Sequence, residues 1–498
     1  MNIIHGDCLE ELKKLEDNSI DAVVCDPPYG LSNTKPQQVS DVLKAWVTGD
    51  TVSVPAKRGG FMGKDWDSFV PPPAVWEECM RVLKPGGHMA VFAGARTQDL
   101  MGLSIRLAGF EIRDTLGWVY GSGMPKSLDI SKAIDKYNGN PLAFREFAAA
   151  YREAVAKSGL THSAIDNALG IKSSSCYWAR DDHRGGMPPR HHWEKVRDLV
   201  HVSGELERLY DEAEREVVGV REVPQGHAFA GSTYGGDSSN KSVDITTPAT
   251  SEAQRWDGWG TSLKPAIEPI LLCRKPLDGT VANNVLAHGV GGLNIDACRV
   301  AGKPWKSHMA TGLAETKYFT ECEAKVIEKA PHVAGRFPAN VLLDEHAAKE
   351  MDEQSGWSKS PDVGSVTNTK ARHSGSMAGA FKHPKPMQNG HGDSGGASRF
   401  FPVFKYQAKA PKKERPVIER EDGSKIQHPT VKPVALMEWL VELITPPNGV
   451  VLDTFAGSGT TLQAALNKGF QPIGIEQDAD YIKLIEKRLE ATCTTRKN

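Results

Sequence analysis

The stretch that decides the fold is Val450-Val451-Leu452-Asp453-Thr454-Phe455-Ala456-Gly457-Ser458-Gly459-Thr460-Thr461. Its opening, Val450 to Asp453, predicts a buried strand, and Thr461 to Leu466 predicts the helix that follows. Gly457 and Gly459 in the turn allow the backbone to approach a ligand closely, because glycine has no Cβ. Amides at the start of a helix favour negative groups. The stretch therefore predicts a strand–turn–helix unit of an α/β sheet with a ligand at its turn.

The segment after this unit strengthens the prediction. Gln471 to Glu476 predicts a second strand, and it ends in an acid. An acid at that point suits hydrogen bonds to ribose hydroxyls. A G-x-G turn alone is weak evidence, so a plain βαβ turn with an incidental glutamate stays as the alternative. No G-x-x-x-x-G-K-[ST] run occurs in the sequence, and a P-loop phosphate site is not predicted.

A second motif, Asp26-Pro27-Pro28-Tyr29, follows the apolar run Ala22 to Cys25. That run predicts a buried strand, and in open α/β sheets ligands bind at the carboxyl ends of strands. The Asp26 carboxylate and the Pro27 carbonyl are suited to accept the two hydrogens of an exocyclic amine on a planar base. Tyr29 is suited to stack on the ring of that base. Ordinary turn chemistry of Asp and Pro is the alternative.

The two motifs together resemble those of the S-adenosylmethionine-dependent amino-group DNA methyltransferases. The Asp-Pro-Pro-Tyr motif precedes the glycine-rich loop, an order similar to the β class of that family. His428 to Pro433, HPTVKP, resembles the family motif that completes the cofactor pocket. Trp118 to Ser127 and Glu268 to Pro276 are similar to segments of phage and prophage members that methylate adenine N6.

The resemblance implies a fold and a cofactor. The expected fold is α/β, a Rossmann-like doubly wound methyltransferase sheet, circularly permuted, with a helical insertion and a central target-recognition region. The expected cofactor is S-adenosyl-L-methionine. In this family pattern Glu476 binds ribose, Asp7 binds adenine, and Thr430 and Lys432 bind the methionine end. The implied cofactor residues are Asp7, Cys8, Thr430, Lys432, Asp453, Phe455, Gly457, Gly459, Thr460 and Glu476.

Asp7 has a second interpretation. It lies between an apolar run, Asn2 to His5, which predicts the first strand, and Cys8 to Leu15, which predicts a helix. Aspartate is a preferred residue at the position that caps the start of a helix. Capping and adenine binding are compatible, so both interpretations stay open.

The resemblance also implies a reaction. The expected activity is methyl transfer to the N6 amine of adenine in double-stranded DNA, which requires the base to be flipped out of the stack. Asp26 and Tyr29 are then catalytic together with Pro27 and Pro28. Asp at the first motif position resembles adenine enzymes and Ser resembles cytosine-N4 enzymes, so cytosine-N4 methylation is the main alternative.

Other classes of function are less favoured by the sequence. An RNA methyltransferase has a similar motif, but the motif order and the large central region favour DNA. A non-catalytic DNA-binding regulator does not need both motifs. No spaced P-D…E-x-K signature occurs, so no restriction endonuclease is expected in this chain. A homodimer is an open alternative.

Composition limits the remaining possibilities. The chain has 498 residues, which predicts more than one domain. Its eight cysteines include no C-x-x-C pair and none follows a proline, so a disulfide framework, a metal site and a cytosine-C5 nucleophile are not predicted. No apolar run reaches the roughly 18 residues of a membrane span, and Asp7, Glu10 and Glu11 interrupt any signal peptide. A cytoplasmic protein is the expectation.

Four regions are expected along the chain. Residues 1–138 are the catalytic half, 139–222 the helical insertion, 223–400 the target-recognition region with its loops, and 401–498 the cofactor-binding half. Within the first region Thr34 to Asp67 has no clear period and predicts a loop or a lid beside the site. Pro71 to Leu83 predicts a helix, and His88 to Phe92 a strand.

The insertion is a candidate DNA-binding element. Ala143–Ser158, Ser163–Leu169 and Trp193–Leu209 predict helices in a helix-turn-helix arrangement. The candidate DNA contacts are Lys172, Tyr177, Arg180 and Arg184. A stabilising helical lobe or a protein-interaction module is the alternative. The net charge of −2 means that DNA binding needs local basic surfaces, and Lys370 to Arg415 is a second basic and aromatic candidate.

Overall fold

The computed structural model describes most of the chain. The described residues are 2–32, 34–55, 67–121, 123, 127–136, 141–171, 174–180, 186–213, 217–222, 242–248, 251–301, 308–310, 326–328, 335–359, 393–404, 415–420 and 422–496. The chain divides into two compact units. One comprises Met1–Gly123 with Ala266–Asn498, and the other comprises Met124–Pro265.

The strands and helices alternate along the first unit, and helices predominate in the second. The strands are β1 Asn2–His5, β2 Ile20–Cys25, β3 Leu83–Phe92, β4 Glu111–Val119, β5 Val217–Glu222, β6 Ser242–Thr246, β7 Ile267–Arg274, β8 His308–Ala310, β9 Val326–Glu328, β10 Val341–Asp344, β11 Ser358–Lys359, β12 Ser394–Gly395, β13 Val403–Phe404, β14 Ile418–Glu419, β15 Lys425–Ile426, β16 Val450–Asp453 and β17 Gln471–Glu476. The helices are α1 Cys8–Leu12, α2 Pro36–Val47, α3 Pro73–Val82, α4 Gln98–Leu107, α5 Ile130–Lys136, α6 Pro141–Ser158, α7 His162–Leu169, α8 Ser175–Trp178, α9 Arg190–Val200, α10 Gly204–Ala213, α11 Ser251–Arg255, α12 Val281–His288, α13 Glu345–Ser355, α14 Val434–Ile444, α15 Thr460–Asn467 and α16 Ala479–Arg496. A 3-10 helix spans Ala397–Phe400.

The first unit is built on a nine-stranded sheet in the order β1-β17-β16-β2-β3-β7-β4-β10-β13. Strand β7 runs antiparallel to its neighbours β3 and β4, and the other pairings in this sheet are parallel. The first strand pairs with the last, because Asn2 lies opposite Ile473 and His5 opposite Glu476. Strands β16 and β2 are neighbours in the sheet although they come from opposite ends of the sequence, as the predicted circular permutation requires.

Helices cover both faces of this sheet, and β2 is therefore buried on both. Val23 and Cys25 contribute to the core cluster that contains Trp76 of α3. Ala22 and Val24 contribute to the cluster that contains Leu440 of α14. Successive side chains of a strand point to opposite faces, so an uninterrupted apolar run is what a strand between two helical layers needs. The Rossmann-like doubly wound fold predicted from the sequence is confirmed.

The chain order creates a crevice between β16 and β2. From β16 the chain passes through α15 to β17 on one side, whereas from β2 it passes to β3 on the other side. The two connections diverge, and such a switch point opens a crevice at the carboxyl ends of the two strands. Both sequence motifs lie at those ends, since Asp26 follows β2 and Asp453 closes β16.

Several expected elements are corrected. Thr34 to Asp67 is not only loop, because α2 occupies Pro36–Val47; the segment 56–66 lies outside the described residues. The helix expected over Trp193–Leu209 is two helices, α9 and α10, since His201 adopts a left-handed conformation at φ 51° that ends α9. Helix α3 ends at Val82 and β3 begins directly at Leu83.

The central sheet takes strands from inside the range 223–400 that was expected to hold target recognition. Strand β7 lies between β3 and β4, and β10 pairs with β4. The target-recognition role of the rest of that range stays a prediction.

The second unit has its own helical core. Phe147, Tyr151 and Trp193 are buried together in it. Helices α7 and α8 form the expected short helical turn, and the Asp166 carboxylate fixes it by accepting hydrogen bonds from the amides of Ser174 and Ser175 at 3.3 and 2.8 Å. These contacts account for a compact lobe and do not by themselves assign it a ligand.

Two kinds of feature are missing from the part of the chain that the structure describes. None of its helices combines the length and the apolar character that crossing a membrane requires. No group of three or more His, Cys, Asp or Glu side chains is arranged to hold a metal ion among the same residues.

Candidate active site

A cavity of about 700 Å³ opens at the carboxyl edge of the sheet, where β16 and β2 end. The Asp26–Tyr29 motif lines one part of it, and the loop from Asp453 to Ser458 lines another. Asp7 after β1 and Glu476 at the end of β17 also line it. The two motifs, more than 400 residues apart in sequence, therefore share one cavity.

Backbone contacts fix the Asp-Pro-Pro-Tyr motif in place. One oxygen of the buried Asp67 carboxylate accepts hydrogen bonds from the amides of Tyr29 and Gly30, at 2.7 and 3.0 Å. The Thr97 hydroxyl donates to the Tyr29 carbonyl at 2.6 Å. Gly30 has φ +67°, and a Cβ there would lie 2.8 Å from the amide nitrogen of Val70. The turn after the motif therefore requires glycine.

Four polar side chains converge here, two from the motif itself and two from separate segments. The Tyr29 hydroxyl lies 2.8 Å from Asp26 Oδ1 and 2.8 Å from Glu268 Oε1. Lys432 Nζ lies 2.9 Å from the Tyr29 hydroxyl, 3.1 Å from Asp26 Oδ2 and 3.1 Å from Glu268 Oε1. The Lys432 ammonium also lies 4.7 Å from the centre of the Phe92 ring. We call Asp26, Tyr29, Glu268 and Lys432 the acceptor cluster.

The charges of the acceptor cluster depend on one another. Burial alone would lower the pKa of Lys432, but the carboxylates of Asp26 and Glu268 hold it above its ordinary value. Burial, followed by the charge of the two carboxylates, raises the pKa of Tyr29 well above its usual range. The lysine therefore stays charged and the tyrosine stays protonated at neutral pH.

The glycine-rich loop forms the other wall, together with Glu476. Asp453 Oδ1 accepts a hydrogen bond from the amide of Phe455 at 3.0 Å, and Glu476 Oε2 accepts one from the amide of Gly457 at 2.7 Å. Glu476 Oε1 accepts from the amide of Asp478 at 2.9 Å. Burial raises the pKa of Asp453 to about 7 and also raises the pKa of Glu476. We call this wall, formed by the turn from Asp453 to Ser458 together with Glu476, the donor loop.

His428 packs over the donor loop. Its ring makes an edge contact with Tyr481, with centroids 4.6 Å apart, and its Nδ1 is hydrogen bonded to the carbonyl of Thr430. Gly457 has φ +52°, and a Cβ there would lie 3.0 Å from His428 Nε2. Burial lowers the pKa of His428. The absence of a side chain at Gly457 keeps the backbone of the loop accessible from the cavity.

Most of the residues expected to bind the cofactor line the cavity. Asp7, Cys8, Thr430, Lys432, Asp453, Phe455, Gly457, Thr460 and Glu476 all do so. Gly459 does not; it precedes α15 with φ +77°, and a Cβ there would lie 3.0 Å from Ile485 of α16. Gly459 is therefore explained by close helix packing.

Asp7 caps α1, as one of the two interpretations predicted. Its carboxylate accepts hydrogen bonds from the amides of Leu9 and Glu10 at 3.0 and 3.3 Å. Because Asp7 also lines the cavity, its placement remains compatible with a ligand contact. A carboxylate oxygen has two lone pairs and can accept a further hydrogen bond.

The candidate DNA contacts lie in the second unit. The Arg180 guanidinium lies 6.0 Å from the centre of the Tyr177 ring, and both side chains are half-buried. Lys172 and Arg184 lie outside the described residues. Most of the basic stretch from Lys370 to Arg415 lies outside them as well, so these contacts stay predictions.

Sequence reasoning missed two residues of the site. Glu268, at the cavity end of β7, joins the acceptor cluster, and Tyr481 packs against the predicted pocket residue His428 over the donor loop. The signal for Glu268 was present, since it opens the segment Glu268 to Pro276 that resembles family members. The ammonium of Lys432 contacts Asp26 of the Asp-Pro-Pro-Tyr motif at 3.1 Å, and its role as a cofactor residue stays a prediction.

Comparison with known proteins agrees with the site. The sequence model of the family described as "DNA methylase" matches residues 20–147 and 260–487. The putative methylase YubD of Escherichia coli K12 is 50% identical over 64 residues, which is 13% of this chain and 28% of that protein. The type II methyltransferase M.HinfI of Haemophilus influenzae is 46% identical over 77 residues, 16% of this chain and 21% of that protein. The chain thus matches only about a quarter of the length of these relatives.

Solved structures of DNA methyltransferases are also similar. The M1.HpyAVI–SAM complex has 12% identity and a TM-score of 0.33, covering 98% of each chain. The cytosine-N4-specific PvuII DNA methyltransferase has 10% identity and a TM-score of 0.35, covering 98% of this chain and 85% of that one. The family model matches most of the first unit, including both motifs and all four residues of the acceptor cluster. The chain belongs to the N6/N4 DNA methylase family, whose cofactor is S-adenosylmethionine.

Proposed function

We propose that the chain transfers a methyl group from S-adenosylmethionine to the N6 amine of adenine in double-stranded DNA. The observation that carries the proposal is the meeting of the acceptor cluster and the donor loop in one cavity of about 700 Å³. A cavity of this size suits a small-molecule ligand. The two walls present different chemistry to the two reactants that such a transfer must bring together.

The residues of the donor loop fit the cofactor. When bound, S-adenosylmethionine supplies an electrophilic methyl group on a sulfonium. Glu476 and Asp7 offer carboxylate oxygens to hydroxyl and amino groups, and each oxygen retains acceptor capacity beyond its backbone hydrogen bond. Gly457 leaves its backbone open to the cavity. His428 and Tyr481 add flat apolar surface beside it.

The acceptor cluster fits an exocyclic amine. Asp26 and the carbonyl of Pro27 would accept the two amine hydrogens, so that the nitrogen lone pair faces the donor side of the cavity. Tyr29 is held rigidly by the Asp67 and Thr97 contacts to its backbone. Such positioning before the reaction lowers the barrier, because little freedom is lost in the transition state. Apolar groups including Val52, Phe69 and Val70 also line the cavity and limit the access of water.

The target base must leave the duplex to reach this edge of the sheet, so base flipping belongs to the proposal. Tyr177 and Arg180, with Lys172 and Arg184, are proposed contacts to the DNA backbone. Asp26 at the first motif position favours adenine. Cytosine N4 carries a similar amine and is the alternative product.

Transfer of a tritiated methyl group tests the proposal. The full chain is incubated with labelled S-adenosylmethionine and duplex DNA of mixed sequence, and the labelled DNA is hydrolysed to nucleosides and separated. N6-methyldeoxyadenosine is the expected labelled product. N4-methyldeoxycytidine would replace the adenine assignment by its alternative, and label in ribosomal RNA but not in duplex DNA would overturn the DNA assignment.

A further inference from the structure

The Tyr29 hydroxyl contacts two carboxylates but has a single hydrogen to donate. The Tyr29 hydroxyl lies 2.8 Å from an oxygen of Asp26 and 2.8 Å from an oxygen of Glu268. Both distances are those of an O–H···O hydrogen bond. A phenol has one hydrogen, and an ionised carboxylate only accepts. One of the two contacts is therefore without a hydrogen whenever both carboxylates are ionised.

Lys432 explains how three oxygens stay this close. Its ammonium contacts the Tyr29 hydroxyl at 2.9 Å and one oxygen of each carboxylate at 3.1 Å. A buried positive charge offsets the repulsion between two carboxylates. The ammonium thus keeps the cluster at hydrogen-bond spacing before a further hydrogen arrives.

The reaction under "Proposed function", on which this inference rests, releases one hydrogen at this place. The amine nitrogen uses its lone pair to bond the methyl carbon, the carbon–sulfur bond breaks with its electrons on sulfur, and the nitrogen then sheds a proton. We propose that Asp26, Tyr29 and Glu268 form a proton-acceptor unit that takes up this proton, with Glu268 as its second carboxylate.

The proton balance closes within the unit. Asp26 takes the proton from the amine and passes it to the Tyr29 oxygen, while the Tyr29 hydroxyl hydrogen moves to Glu268. Asp26 returns to its charged form, Tyr29 is unchanged, and Glu268 becomes neutral. Both contacts of the hydroxyl then contain a hydrogen. The Glu268 side chain is 18% exposed, so it can release the proton to water after the product leaves.

The immediate surroundings are compatible with this route. Among the described residues, Lys432 is the cation that contacts the unit, and it comes from the segment before α14. His428 of the same segment has its pKa lowered by burial. Asp453 lies at the end of β16, and burial, with a smaller contribution from the charge of Asp26, raises its pKa. On β7, Glu268 precedes Pro269 and lies opposite Trp118 of β4, neither of which ionises. In this account Glu268 acts through Tyr29 and is a positioning residue that does not touch the base.

The isosteric variant E268Q separates this role from a purely structural one. Glutamine preserves the size of the side chain, and its amide oxygen can accept from the Tyr29 hydroxyl and the Lys432 ammonium in place of Glu268 Oε1. Tyr29 therefore stays in place, but the side chain no longer takes up a proton. We expect the single-turnover rate of methyl transfer to fall about 100-fold, the scale of general acid–base catalysis. Cofactor affinity should remain unchanged.

The matched control is E111Q. Glu111 lies on the neighbouring strand β4, and its Oε2 accepts from Arg274 of β7 at 2.7 Å. The substitution removes a carboxylate from the same pair of strands without contacting Tyr29. E111Q is expected to transfer methyl groups at the wild-type rate.

The second readout needs no cofactor or DNA. The full chain is labelled with carbon-13 at the tyrosine ring carbon that bears the hydroxyl, and the Tyr29 signal is assigned by its loss in Y29F. On acidification this signal should shift in the wild-type chain as the unit takes up a proton, and the shift should be smaller in E268Q, where Asp26 is the carboxylate of the unit that remains. A wild-type transfer rate in E268Q, or the same acid shift in both chains, would overturn the proposal. Because the acid shift is measured on the chain alone, it tests the proton unit even if duplex DNA proves not to be the substrate.

Discussion

The two walls of the cavity are built in opposite ways. The donor loop comes from one continuous stretch, Asp453 to Glu476, and presents mainly backbone amides, a glycine and single carboxylates. In the acceptor cluster, Tyr29 contacts Glu268 across 239 positions and Lys432 across 403. The donor loop is thus specified locally by turn chemistry, whereas the cluster exists only after the sheet has formed.

This difference implies different sensitivities to mutation. The donor loop, which presents mainly backbone, is disturbed by any added side chain, and the loss should appear in ligand affinity. A network of buried charges is disturbed by the loss of any partner, and its effect should appear in folding and in rate.

The largest effect is expected from K432M, which removes the cation of the acceptor cluster. Two carboxylates would then face each other without compensation, and breaking a buried ion pair costs about 3 kcal/mol or more of unfolding free energy. Urea unfolding measures it. K468M is the control, since Lys468 forms a partly exposed pair with Glu442 at 2.6 Å, where about 1 kcal/mol or less is expected. Equal losses in the two variants would show that the cluster adds no special stability.

A smaller effect, confined to the donor loop, is expected from G457A. The added Cβ would lie 3.0 Å from His428 Nε2 at a residue with φ +52°. Cofactor affinity should fall roughly tenfold, about 1.4 kcal/mol of binding free energy, because the loop and His428 must shift. Calorimetric titration with S-adenosylmethionine measures it.

The control for this substitution is G469A. Gly469 has φ +85°, so alanine there suffers similar backbone strain of about 1–2 kcal/mol. Nothing lies within 4 Å of its added Cβ, and Gly469 does not line the cavity. G469A should lose stability and keep cofactor affinity. If both variants lost affinity equally, general destabilisation would explain the result.

The buried carboxyl of Asp453 makes the stability of the chain depend on pH. Burial raises the pKa of this carboxyl to about 7, against about 4 in an unfolded chain. A group whose folded pKa is raised binds more protons in the folded state, so its contribution to stability falls as pH rises from about 4 to 7. Glu476 contributes in the same sense, because burial raises its pKa too. The stability of D453N should therefore depend less steeply on pH across this range, as urea unfolding at several pH values would show; parallel curves would contradict the assignment.

The sequence predicted the donor loop more completely than the acceptor cluster. Val450 to Thr461 contains strand, turn and helix start in order, and Glu476 closes the next strand, so local patterns were sufficient. The close approach of Gly459 to Ile485 was not foreseen, because a glycine that faces a ligand and a glycine that faces a helix look alike in sequence. Its role as a cofactor residue stays a prediction.

The cluster required information about the sheet. Glu268 lies on β7, and the insertion of this strand between β3 and β4 is what brings its carboxylate to Tyr29. No local pattern in the sequence predicts the position of β7 between β3 and β4. The break of the expected helix at His201 was also missed, since a left-handed residue other than glycine leaves little trace in composition.

The most direct test of the central claim, that the two walls have separate tasks, compares D26A with G457A in two assays. Calorimetry measures S-adenosylmethionine binding, and single-turnover transfer to duplex DNA at saturating cofactor measures the reaction. D26A should bind the cofactor like the wild-type chain and lose methyl transfer about a thousandfold or more. G457A should bind weakly and recover most of its transfer rate at saturating cofactor. Normal methyl transfer by D26A, or equal losses of binding and transfer in both variants, would contradict the account.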